Sequence, residues 1–148
     1  MAELQLVGFK LGNEEYVVDI MKVKEIIKIS EITKIPEAPM FVEGVINLRG
    51  NIIPVINLKI RLGLSYTDEV DEEEKKIIVI ERDGKWIGMI VDMVTEVIRL
   101  DSTKIDPTPE LVTSVDKKHI KGIGKFSDER LLIILDIEKI IDETETAF

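Results

Sequence analysis

There is no cysteine in this sequence and only one histidine. The first absence excludes a disulfide framework, a thiolate metal site and a cysteine nucleophile, and it fits a reducing compartment. The second weakens metal chemistry further, because one imidazole without thiolates holds zinc only where several carboxylates converge. His119 lies in "DKKHIKGIG", away from any recognisable motif of serine, cysteine or carboxylate, and is read as a surface or half-buried side chain. Also missing is an apolar run near the roughly 20 residues of a spanning helix, and no charged stretch followed by an apolar one opens the chain. The expectation is a soluble, cytoplasmic protein with no direct membrane insertion.

A basic excess is missing too. The net charge is −9, whereas a phosphate-backbone partner calls for a basic stripe that releases counterions. With aromatics at only 5 %, the alternative of an oligonucleotide-type barrel lacks the basic, aromatic-studded face it needs, and no nucleic acid is expected. Glutamine occurs once, at Gln5, while Ile, Lys and Glu are abundant, a bias resembling that of heat-loving organisms.

What the sequence does contain is a succession of short Ile- and Val-rich runs punctuated by turn residues, which read as strands. They cover Leu4–Leu11, Tyr16–Ile20, Glu25–Ile29, Gly44–Leu48, Ile52–Ile56, Lys76–Arg82, Lys85–Val91, Thr95–Leu100, Ile120–Phe126 and Arg130–Leu135. Asp83-Gly84, between "IIVIER" and "KWIGMIV", predicts a tight type I′ hairpin. Helical pieces are expected only over Ala38–Val42, Leu58–Leu62 and Ile137–Ile141, with "DETETAF" fraying. The acidic stretch Ser65–Glu74 reads as a solvated loop dividing the strands into two sets of five; its carboxylates lack the alternate spacing and glycine bend of a calcium loop.

The two sets resemble each other. A shift of 71 takes Phe9 to Ile80, Val18 to Met89, Val23 to Val94, Glu25 to Glu96 and Ile27 to Ile98, and a shift of 79 takes "NIIPVINL" to "RLLIILDI". Repeats outweigh single motifs in deciding a fold. Five short strands hide their edges by closing, and barrels of about 70 residues have thin cores that should pack together. The predicted fold is therefore mainly β, with two pseudo-symmetric five-stranded SH3-like barrels sharing a hydrophobic core and a groove between them. Residues 1–148 form one domain, subdomain 1 spanning approximately 10–65 and subdomain 2 approximately 1–9 and 75–148.

Catalytic signals are missing. "GIGKF" lacks the P-loop spacing and sits between strand patterns, so its glycines mark a bulge or a close strand crossing. Asp92 and Glu96 are an acid pair with no convergent pocket, and Trp86, just after the hairpin turn, reads as a packing aromatic. No enzyme activity, metal or cofactor is expected.

One charge stands out in "NLRGNIIPVINL": Arg49, at the lip of a turn with no acid near it in sequence. Period-two alternation sends Ile46 and Leu48 to one face and Asn47 and Arg49 to the other. A two-residue Gly50-Asn51 loop would set Pro54 opposite Asn47 at a hydrogen-bonded position that proline cannot fill, so a longer loop or a bulge is expected.

The strings "LGNEEYVVDIMKVKEI" (11–26), "FVEGVINLRGNIIPVINLKIRLG" (41–63) and "LLIILDIEKII" (131–141) resemble, in order and spacing, the family of the chemotaxis coupling protein CheW. The resemblance implies a non-catalytic adaptor between transmembrane chemoreceptors and the histidine kinase CheA, whose regulatory domain has the same double-barrel fold. It implies that the inter-barrel groove takes the cytoplasmic tip of the receptor. Val23, Glu25, Gly44, Asn47 and Arg49 would line or support that receptor face, and Ile120, Gly122 and Gly124 would lie at the kinase contact. Asn57 departs from the aspartate of the family's "PVIDL" and is expected to cap the helix that follows.

Overall fold

The computed structural model describes residues 2–64, 71–107, 117–127 and 129–146. In chain order the elements are β1 (Glu3–Leu11), β2 (Glu14–Asp19), β3 (Val23–Lys28), β4 (Val42–Leu48), β5 (Asn51–Asn57), α1 (Leu58–Arg61), β6 (Lys76–Arg82), β7 (Lys85–Val91), β8 (Met93–Asp101), β9 (Ile105–Asp106), β10 (Ile120–Ser127), β11 (Arg130–Leu135) and α2 (Ile137–Thr146). All ten expected strands are present, and β9 is an addition too short to leave a periodic signal. Asp83 and Gly84 both adopt positive φ between the paired Arg82 and Lys85, as a type I′ turn requires.

Two expectations about helices fail. Ala38–Val42 is not helical: a turn closed by the Val42 N–H on the Pro39 carbonyl leads directly into β4. Ala38 precedes Pro39, and a residue before proline is pushed out of the α region toward extended backbone. The C-terminal helix is longer than expected and runs on to Thr146 instead of fraying after Ile141. Of the acidic loop, residues 65–70 lie outside the described residues, as do 147 and 148 of the tail.

The strands form two SH3-like barrels, but they do not divide at the acidic loop. Barrel I has the order β3-β6-β7-β5-β4 and barrel II the order β8-β1-β2-β11-β10-β9. Each takes a hairpin from one sequence repeat and its remaining strands from the other: β6-β7 sit among β3, β4 and β5, while β1-β2 sit among β8 to β11. The expected division near residue 70 therefore does not describe how strands pair. The shifts of 71 and 79 correctly matched equivalent strands; sequence similarity reports equivalence and carries no information on which copy a strand pairs with. Both barrels have one parallel contact, β5 with β7 and β11 with β2. Both close in the same place, barrel II through β9 on β10 and barrel I through a single bridge between Thr33 and Val45.

Continuous apolar runs follow from this arrangement because several strands are buried on both faces. In β6, Ile77 and Val79 fill barrel I with Ile46, Ile53 and Val55, while Ile78 and Ile80 face a core shared by the two barrels. In β11, Leu132 and Ile134 fill barrel II with Leu6, Val17, Ile98 and Leu100, while Ile133 and Leu135 join that shared core. Phe9 and Tyr16 stack there at 6.0 Å, and Ile137, Ile140 and Ile141 of α2 pack against it. Burying an aliphatic side chain this completely contributes about 1.5–3 kcal/mol. The shared core is thus the largest favourable contribution, and both repeats are needed to assemble it.

Candidate functional site

The loop between β4 and β5 is two residues long, as a tight hairpin requires, but it consists of Arg49 and Gly50, with Leu48 paired to Asn51. Both central residues have positive φ, 50° and 87°. The pairing places Pro54 opposite Val45 instead of Asn47, so neither a longer loop nor a bulge at the turn is required. Val45 directs its own N–H and C=O to Thr33, at 2.9 Å each, so the missing proline N–H leaves nothing unsatisfied. A bulge does occur, further back between Val42 and Gly44.

Arginine in the left-handed region costs about 1–2 kcal/mol relative to glycine, a cost that persists only where surroundings or function fix it. Two groups hold this turn. The Asn47 Oδ1 accepts the Gly50 N–H at 2.9 Å, and the Arg49 guanidinium forks onto Glu25 of β3, with Nη1 3.1 Å from Oε1 and Nη2 on Oε2. The acid missing from the local sequence is supplied from 24 residues upstream. The bidentate hydrogen bond from Arg49 holds the Glu25 carboxyl below its usual range, and Glu25 raises Arg49 in turn. Arg49 nevertheless keeps 61 % of its side chain exposed, leaving guanidinium edge for an outside acceptor.

The other anticipated residues are spread over both barrels. Gly44 has φ 148°, and a Cβ there would stand 2.1 Å from the Thr33 carbonyl oxygen, so both an unusual backbone and a close approach demand glycine. Ile46 is buried and Asn47 exposed, in line with the alternation. Val23 is half-buried against the shared core. Gly122 and Gly124 are buried in the barrel II wall, where Cβ atoms would meet Ile105 at 2.8 Å and Leu100 at 2.5 Å, and a bulge falls between Ile120 and Gly122. These glycines permit a close strand crossing, and Ile120 packs on the shared core. Asn57 caps α1 as expected, its Oδ1 accepting the Ile60 N–H at 3.2 Å, and its amide also donates to Glu43.

Beside the rim, an open groove of about 810 Å³ is lined by Ile35, Val45, Ile52, Pro54, Trp86 and Thr144, among others. Ile52 is 71 % exposed at its edge. The groove belongs to barrel I strands and α2 rather than to the two sheets equally. Sequence alternation could flag Ile52 as the partner of Asn47 once the loop was placed, but nothing local announced Trp86. That residue is half-buried against the barrel I interior, donates its Nε1–H to Glu81 at 2.8 Å, and carries Lys24 over its ring.

Two other candidates prove to be internal fastenings. His119 is buried, contrary to expectation, with Nε2 2.9 Å from Glu143 Oε2 on α2, and Arg61 reaches the same carboxylate. Asp92 is buried as well, 3.1 Å from Lys59 Nζ and accepting the Gly12 N–H at 2.8 Å, so it does not act with Glu96. Among the described residues, no cluster of three or more metal-ligating side chains occurs.

The double SH3-like barrel thus carries an arginine-tipped rim beside an apolar groove. The family model of the CheW-like domain matches residues 5–145, and the chain belongs to that family. It is 39 % identical over 142 residues to the chemotaxis protein CheW of Klebsiella aerogenes, covering 94 % of this chain and 82 % of that protein. It is 40 % identical over 139 residues to the Helicobacter pylori CheW, covering 93 % and 81 %. The crystal structure of the scaffolding protein TtCheW from Thermoanaerobacter tengcongensis superposes with a TM-score of 0.82 at 43 % identity, covering 93 % of this chain and 86 % of that one. The protein is thus a non-catalytic member of a chemotaxis scaffold family.

Proposed function

We propose that this chain couples transmembrane chemoreceptors to the regulatory domain of the histidine kinase CheA, and that the receptor's cytoplasmic tip engages the Arg49 rim. The observation that carries the reading is the fixed guanidinium of Arg49, held in a left-handed turn by Glu25 and Asn47 at the edge of an apolar groove. An amphipathic helical tip would lay its apolar stripe along Ile52 and the groove while an acid meets Arg49. Val23 and Gly44 would support that face, Val23 from β3 and Gly44 by admitting the Thr33 approach. The kinase contact is assigned to the barrel II end shaped by Ile120, Gly122 and Gly124. Among the described residues no helix is long and apolar enough to cross a membrane, which suits a protein recruited to receptor arrays from the cytoplasm through its partners.

The test is a titration of wild type and Arg49→Ala against a receptor cytoplasmic fragment and, separately, a kinase regulatory domain. Receptor affinity should fall roughly tenfold to a hundredfold, as loss of a charge-assisted contact of about 1.5–3 kcal/mol implies, with kinase binding retained. Equal losses for both partners would assign Arg49 a structural role and remove it from the receptor face.

A further inference from the structure

The Arg–Glu rim occurs twice. Glu25, Ile26 and Lys24 of β3 correspond, at a shift of 71, to Glu96, Val97 and Thr95 of β8, and Ile52 corresponds, at a shift of 79, to Leu131 of β11. Both acids grip an arginine from the neighbouring hairpin: Glu25 holds Arg49, and Glu96 Oε1 accepts from Arg130 Nη1 at 3.0 Å. Ile26 and Val97 are both exposed, and so are Ile52 and Leu131. The second barrel therefore carries a similar grouping of charge and exposed aliphatic groups, its arginine standing at the position equivalent to Asn51 instead of Arg49.

Side chains at several equivalent positions differ between the copies: Thr95 stands for Lys24, Arg130 for Asn51 and Glu15 for Trp86. Where barrel I has Trp86 beneath Lys24, barrel II has Glu15, which accepts from Thr95 Oγ1 at 3.2 Å. Glu15 takes Arg130 in a second fork, Nε to Oε1 at 2.8 Å and Nη2 to Oε2 at 2.6 Å, while the guanidinium lies 5.0 Å from the Phe126 ring. Arg130 thus has two carboxylates and 33 % exposure, against one carboxylate and 61 % for Arg49. The cleft beside it, about 400 Å³, is lined by Glu14 and Glu129 as well.

We infer that Glu15 acts as a built-in stand-in for a partner's acid, filling the second rim from within so that a helical segment with an apolar stripe and a carboxylate docks at barrel I alone. Glu15 is on this account the residue that fills the second of two quasi-equivalent surfaces. The inference rests on the reading of Arg49 as the partner-facing arginine.

Full-length wild type, Glu15→Ala, Arg49→Ala and the double variant are titrated with a receptor cytoplasmic fragment, with thermal melts alongside. Wild type is expected to bind one fragment per chain and Glu15→Ala two, the second more weakly because Glu14 and Glu129 remain. The double variant should retain one site, which Arg130→Ala then abolishes. Glu15→Gln, which preserves side-chain shape, serves if the alanine variant melts early, and should show the same added site. A stoichiometry of one in both Glu15 variants overturns the inference. If Arg49→Ala has lost binding in that experiment, the Arg49 reading stands without it; if Arg49→Ala binds as wild type does, that reading fails whatever Glu15 does.

Discussion

Barrels I and II share strand order, the position of their one parallel contact and the place where each closes, yet they differ in the side chains these features carry. Each is completed by a hairpin from the other repeat. Even their helix caps correspond: Asn57 and Asp136, separated by the 79-residue shift, both accept the N–H three residues ahead at 3.2 Å. After the cap they diverge, since α1 ends at Arg61 while α2 continues to Thr146 and is tied to barrel I strands by Arg82, which meets Glu138 and Asp142. The lesson is that a duplicated architecture can carry different side chains at equivalent places, so that Arg49 meets one carboxylate and Arg130 two.

The heaviest blow to this arrangement is to remove one repeat. A chain ending at Asp68 would keep β1 and β2 without β8 and β11, and β3 to β5 without β6 and β7. Such a fragment should be insoluble or lack a cooperative melt; a dispersed NMR spectrum from it would show that the interleaved pairing is dispensable. Next in size is the contrast between Gly44 and Gly124. Gly44→Ala sets a Cβ against backbone at a positive φ and should cost several kcal/mol, at the upper end of single-residue effects. Gly124→Ala meets the far end of the Leu100 side chain instead of backbone and should cost less in the same urea titration.

Acid should separate the two rims more finely. Arg130 holds the Glu15 carboxyl below its ordinary value of 4.5, so its stabilising contribution is present above that pH and is lost as pH falls through the lower folded value. Melts of Glu15→Gln should accordingly decline less steeply than wild type below about pH 4.5. Neutralising Glu25, whose pair is more exposed and better screened, should alter that decline less. The smallest expected change in stability is that of Arg49→Gly, which relieves the left-handed turn. Stability should rise by up to about 1 kcal/mol while receptor binding drops, a separation that equilibrium melts and titrations can resolve.

Strand positions and the repeat were legible in the sequence because each strand carries its own signal. "KIIVIER" and "RLLIIL" are apolar on both faces, and Asp83-Gly84 names its turn. The pairing across repeats was not legible, since Ile78 would be as apolar in either barrel. The hairpin was misplaced by one residue because Gly-Asn is the better turn pair, and an arginine with positive φ contradicts local preference. Glu25 was named for the site but not as Arg49's partner, because their contact depends on barrel closure, which no local pattern encodes.

The bridge between Thr33 and Val45 gives barrel I a seam two hydrogen bonds wide, whereas barrel II is sewn by a paired strand. A seam that short should be the first place where deuterium enters an otherwise protected wall, with Thr33 and Val45 amides exchanging ahead of their barrel II counterparts. Val45 belongs to the same hairpin as Arg49, so a breath at the seam would carry the hairpin outward and loosen the grip of Glu25. On the proposed reading of Arg49 as partner-facing, its readiness for a visitor would then depend on the hem of the barrel, some distance from the charge itself.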